Sequence, residues 1–231
     1  MASSVRYIIP LGLRCTTAEA FKKHSLRRFA LPFDWLFLSP SVIVDILSTN
    51  FTTLLDPSHY TKVGMSGTHP KVKHAKYTQM VPGAECTFIH HDPTSSDGSA
   101  YFDRTVSRFN TILEAADRKL FTLVCIDPSQ WDLEGVKNIF STLKTLTNNF
   151  VFIVVNLVVK SGSSGSSLSF HDQSNDCELV IYNQQCIGMN TGQHFTNPVD
   201  QDHLTTLLMF PPSTNNSIRD PYKFNLKSIT L

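Results

Sequence analysis

Two apolar runs, LFTLVCI at 120–126 and FVFIVVNLVV at 150–159, stand on either side of an amphipathic stretch, 133–146, in which Val136, Ile139, Phe140 and Leu143 recur at helical spacing. A strand with one wet face alternates apolar and polar residues, whereas a strand apolar throughout must be covered on both faces. Two such strands joined by a helix predict a βαβ unit in a parallel sheet. Further strands are expected at Val5–Pro10 (VRYIIP), Cys86–His90 (CTFIH) and Glu178–Tyr182 (ELVIY). Helices are expected at four more places. Thr16–Lys23 carries Glu19 early and Lys22 and Lys23 late, which suits the helix dipole. Pro40–Leu47 has Ser39 as its cap and proline at its first position. Tyr101–Lys119 places Phe102, Val106, Phe109, Ile112 and Leu113 on one face, and a last helix opens at Asn197-Pro198 and runs through Met209. The fold class that follows is α/β: a mostly parallel sheet with helices on both faces, Rossmann-like and three-layered, in a single domain over 1–231.

Two segments lack a period. Residues 56–82 are polar, with His59, His69 and His74 among lysines, glycines and prolines, and are expected to form an irregular excursion or lid. Residues 161–176 open with SGSSGSS and are expected to be a mobile loop.

The 41% hydrophobic content of the 231 residues suffices for a sizeable core. Twenty basic and 19 acidic side chains leave a net charge of +1, so no global field draws the chain to nucleic acid or an anionic membrane. The five cysteines, at 15, 86, 125, 177 and 186, are odd in number and contain no CxxC pair, which points to reduced thiols in a cytoplasmic setting rather than a disulfide framework or zinc ribbon. MASSVRYIIPLG lacks the apolar region of a secretory signal, and no apolar run reaches the roughly 20 residues of a membrane span.

In a parallel sheet the loops beyond the carboxyl ends of the strands are the default site. Cys15, in LGLRC after the first strand, falls at or just before a helix N-cap. Free N–H groups and the dipole there favour a thiolate, and Arg14 adds a cation. The same bend also suits a small buried packing residue. His90 and His91 end a candidate strand, so alternation lets only one of them face a pocket. Consecutive histidines are poorly spaced for one ion, and neither a metal nor a cofactor is expected. Asp34, between Phe33 and Trp35, needs a partner such as Arg27, Arg28, a histidine or backbone N–H groups. It reads as a turn carboxylate, as a polar anchor for a ligand, or as the orienting acid of a Cys–His pair; Asp127, ending a neighbouring strand, is the other candidate for the orienting role.

The order LGLRC, LRRFALPFDW, Asn50-Phe51, HHD and RTVSRF, followed by LFTLVCI, resembles an uncharacterised bacterial and viral family of putative papain-like cysteine peptidases, over approximately residues 7–156. The resemblance places the family's cysteine on Cys15, its Phe-Asp-Trp on Phe33, Asp34 and Trp35, and its His-Asp on His91 and Asp92. A doubled arginine of the family is kept only partly, as Arg104 and Arg108. What it implies is a cysteine-dependent hydrolase or acyl-transfer enzyme acting on a peptide. Cys15 would attack a carbonyl, His91 relay the proton, Asp34 orient the imidazole, and N–H groups at the helix start receive the oxyanion. Papain-like enzymes set their histidine on an antiparallel sheet, whereas the βαβ unit here is a parallel crossover. A parallel core also suits a glycosyltransferase that takes a nucleotide-sugar donor and acts on glycans, with Arg14, Arg28 and Arg104 as phosphate partners. That alternative has no GxGxxG, Walker or DxD motif behind it. A non-catalytic binding module is the third class. Arg14, Arg28, Asp92 and Arg104 are the candidate substrate contacts.

Overall fold

The computed structural model describes residues 5–159 and 164–209. Among them, strands and helices follow in the order β1 (Val5–Pro10), α1 (Thr16–Lys23), α2 (Pro40–Ser48), β2 (Tyr60–Ser66), β3 (His69–His74), α3 (Ser96–Glu114), β4 (Arg118–Cys125), α4 (Leu133–Leu146), β5 (Phe150–Val159), β6 (Gly165–Ser174), β7 (Cys177–Cys186) and α5 (Pro198–Met209). The sheet has the order β1-β4-β5-β7-β6, in which the first four strands are parallel and β6 runs antiparallel along the edge of β7. From β1 to β7 the order progresses one way without reversal.

The reason for the uninterrupted apolar strands is visible in two separate cores. Phe121, Leu123, Phe152, Val154, Leu179 and Ile181 meet α2, α3 and α4 on one face. Their alternate neighbours, Leu120, Val124, Val151, Ile153, Val155 and Val180, meet Phe21 of α1 and Leu204, Leu207 and Leu208 of α5 on the other. The chain is thus a mixed α/β protein with a mostly parallel sheet and helices.

Four sequence expectations are corrected. The segment 56–82 is not irregular: β2 and β3 pair as an antiparallel hairpin. Its period is hidden because β2 is largely exposed, while only Val72 and His74 of β3 are fully buried. The hairpin is anchored to α2 through Asp45, which accepts from Lys76 Nζ (2.8 Å) and Tyr77 Oη (2.5 Å). Cys86–His90 is not a strand of the sheet; only Phe88 makes isolated bridges, to Val72 and Leu36. The long helix ends at Glu114 rather than Lys119. Nothing in its local sequence stops it, but β4 must enter the sheet, and the turn is capped from outside by Thr147 Oγ1 on the Leu113 carbonyl and Asn149 Nδ2 on that of Ala116. Finally, the expected loop over 161–176 contains β6, because the free edge of β7 offers backbone bonds that any sequence can take; 161–163 lie outside the described residues.

The turn after β1 is held close to the Phe33 segment. A Cβ at Gly12 would come within 2.8 Å of the carbonyl oxygens of Arg14 and Phe33, so only glycine fits. Phe33 in turn packs against Phe51 and Phe109, with ring centroids 5.3 and 5.6 Å away. This places the Phe33-Asp34-Trp35 stretch beside the end of β1.

Candidate active site

The carboxyl ends of the parallel strands open into a cleft of about 640 Å³. Arg14 and Cys15 enter it from the turn after β1, Asp127 from beyond β4 and Asn190 from beyond β7, and Ser66 of the hairpin and His90 also line it. Cys15 precedes the first residue of α1, and its carbonyl accepts the Glu19 N–H at 3.0 Å. Its Sγ lies 3.4 Å from Nε2 of His90.

Burial governs the charge state of this pair. Cys15 is 3% exposed, and desolvation, reinforced by Glu19, pushes its thiol up to about 12 despite Arg14. The expectation that Arg14 and the helix start would lower it is therefore corrected: removal from water outweighs both. Desolvation and then His69 hold His90 below the ordinary histidine value. Both shifts favour the neutral forms of the pair, thiol and imidazole.

His91 is not the histidine at the thiol. Its ring stacks on Tyr101 at 3.6 Å and 15°, and burial followed by His90 and His69 pushes it down to about 4. Asp92 accepts from the Thr94 N–H and Oγ1 at 2.9 and 2.6 Å and pairs with Lys62 at 2.8 Å, so it shapes the turn into α3 instead of facing the cleft.

Asp34 does not reach an imidazole either. Fully buried, it accepts from Arg27 Nε (2.9 Å), Arg27 Nη2 (2.6 Å) and the Leu31 N–H (2.9 Å). Burial outweighs the Arg27 charge and raises its carboxyl to about 6. Its link to the site is indirect: Arg27 lies 5.3 Å from the Trp35 ring, which packs 5.2 Å from the ring of His90. Asp127 lines the cleft, but its carboxylate accepts from Ser129. Among the described residues no carboxylate is hydrogen-bonded to His90.

Of the three candidate phosphate partners only Arg14 lines the cleft; its guanidinium lies 4.3 Å over the Phe37 ring, and its buried Nη1 has no hydrogen-bond partner. Arg28 and Arg104 are exposed and lie outside the cleft. No group of three or more potential metal ligands occurs among the described residues, nor does any helix there have the length and apolarity to cross a membrane. Sequence reasoning did not single out Asn190, although GMNTG between a strand and a helix marks a loop at a strand's carboxyl end.

The family described as putative papain-like cysteine peptidase (DUF1796) matches residues 6–165, well over half of the chain. The chain belongs to this family. No curated protein and no solved structure matches it. The DUF1796 match takes in Cys15, Asp34 and His90 and ends at the first residue of β6, so β7 and the Asn190 loop lie beyond the matched residues.

Proposed function

We propose that the chain is a cysteine-dependent hydrolase or acyl-transfer enzyme in which Cys15 is the nucleophile and His90 the general base. The observation that carries this reading is the 3.4 Å approach of the thiol to the imidazole inside the cleft. Because both groups are neutral at rest, the thiol proton passes to Nε2 as sulfur bonds to the substrate carbonyl carbon. The tetrahedral adduct collapses when the His90 imidazolium gives its proton to the leaving group. Water, deprotonated by His90, then releases the acyl group from sulfur. Trp35, in place of a carboxylate, packs against the imidazole. The substrate class is an acyl compound such as a peptide, and the five free thiols suit a reducing, cytoplasmic compartment.

Transfer from a nucleotide sugar has less support. Two of its three expected phosphate partners stand outside the cleft, and the one-way strand order lacks the reversal at which a doubly wound sheet opens its nucleotide crevice.

A cysteine-directed acyloxymethyl ketone tests the reading. Labelling at Cys15, abolished by Cys15→Ala and slowed about 10²-fold or more by His90→Ala, is expected. Labelling elsewhere, or indifference to His90→Ala, together with thermal stabilisation by a nucleotide sugar, would overturn it.

A further inference from the structure

Beyond β7 the chain passes through residues 187–197 before α5, and buried groups fix the path of this loop. Asp200, in the first turn of α5 and 0% exposed, accepts the N–H groups of Ile187 (2.9 Å) and Gly188 (2.7 Å). Thr196 Oγ1 accepts the Met189 N–H at 3.1 Å, and the Thr191 N–H donates to the His194 carbonyl at 2.9 Å. Asn190 is presented between these ties and lines the cleft with Cys15.

The orientation of its amide is determined. One head-group atom lies 2.7 Å from the Gly192 N–H, which can only donate, so that atom is the carbonyl oxygen Oδ1; Thr16 Oγ1 donates to the same oxygen at 2.9 Å. Nδ2 consequently points away from both. It is buried and has no acceptor among the described residues. Thr16 is the residue after Cys15, so the amide is held against the nucleophile's own turn. A buried amide donor without a partner is unusual in a folded chain. On a residue that lines the cleft with Cys15, such a donor is stripped of water and left without an internal acceptor, as a donor kept for a developing oxyanion would be.

We infer that Nδ2 of Asn190 donates a hydrogen bond to the substrate carbonyl oxygen as Cys15 attacks, so that the loop beyond the family-matched residues completes the active site with a catalytic residue. The inference rests on the reading of Cys15 as the nucleophile. With p-nitrophenyl acetate as probe, the thiol proton moves to His90 Nε2, the S–C bond forms, and the carbonyl π pair becomes an oxyanion facing Nδ2–H. Collapse breaks the C–O bond to p-nitrophenolate and leaves an acetyl thioester on Cys15.

Iodoacetamide provides the contrast, since sulfur there displaces iodide from a saturated carbon and no oxyanion forms. Asn190→Asp keeps an oxygen toward Gly192 and Thr16 while replacing the NH₂ group; Asn190→Ala removes the donor without adding charge. In both full-length variants acetylation of Cys15, read by nitrophenolate release and adduct mass, is expected to slow about 10²- to 10³-fold, and in Asn190→Ala, which adds no charge beside the thiol, alkylation by iodoacetamide is expected to hold within about twofold. Acetylation at the unaltered rate, or an equal fall in both reactions, overturns the role of Asn190 while leaving Cys15 a nucleophile. An unmodified chain that is alkylated but never acetylated at Cys15 fails the acyl-transfer reading itself, and the Asn190 role with it.

Discussion

Nε2 of His90 stands 3.4 Å from Sγ of Cys15, while the adjacent His91 ring is committed to a stack on Tyr101. Two histidines that are neighbours in the chain thus occupy different environments, and substitutions separate them. His90→Ala is expected to slow acylation of Cys15 by about 10²- to 10⁴-fold. His91→Ala should leave that rate nearly unchanged and lower stability by about 0.5–1.5 kcal/mol through loss of the stack. Single-turnover acylation and thermal denaturation of the two variants check this.

The neutral resting pair sets the pH dependence. With the thiol raised to about 12 and His90 held below its ordinary value, a preformed thiolate–imidazolium pair is not the ground state. In His90→Ala, where no imidazole takes the thiol proton, alkylation of Cys15 should therefore climb about tenfold per pH unit between roughly pH 6 and 9, following the thiolate fraction. A rate in that variant already level from about pH 6 would show that the thiol is ionised at rest without His90.

Asp34 links pH to stability in the opposite sense from an ordinary salt-bridged carboxylate. Its folded value, about 6, lies above the ordinary aspartate value of 3.8, so the folded chain holds this proton more tightly than the unfolded one. That contribution is fully present below about pH 4 and is lost as pH rises through about 6. Asp34→Asn, which mimics the protonated side chain, should gain on the parent by up to about 3 kcal/mol across this window. Denaturant melts of both proteins at pH 4 and 7 test it; a difference that does not move with pH would mean that Arg27 keeps the carboxylate ionised throughout.

Trp35 packs against His90 and carries Arg27, itself locked by Asp34, over its own ring. Trp35→Leu should free the imidazole and lower acylation on the order of 10- to 10²-fold, with Trp35→Phe restoring most of the rate. The pH profile of the leucine variant should also shift as His90 becomes better solvated, a change that simple loss of stability would not produce.

The sequence by itself determined the layers of this protein. Strands such as Leu120–Cys125 and Phe150–Leu157 are apolar at nearly every position, and only a sheet covered on both faces can bury them, so the parallel core and the crossover helix α4 follow from composition and period alone. The same logic put Cys15 at the end of β1 and the start of α1. Tertiary structure decided the rest because the deciding contacts have no local period. Which of His90 and His91 meets the thiol depends on Trp35 and Tyr101, side chains from other segments that take one ring each. Arg14 and the helix start argued for a lowered thiol, yet enclosure by the cleft walls raised it, since desolvation depends on what surrounds an atom in space. Asn190 reaches the Cys15 turn through Thr16 across 174 residues of chain, a pairing that exists only once β7 has taken its place in the sheet and Asp200 has set the loop.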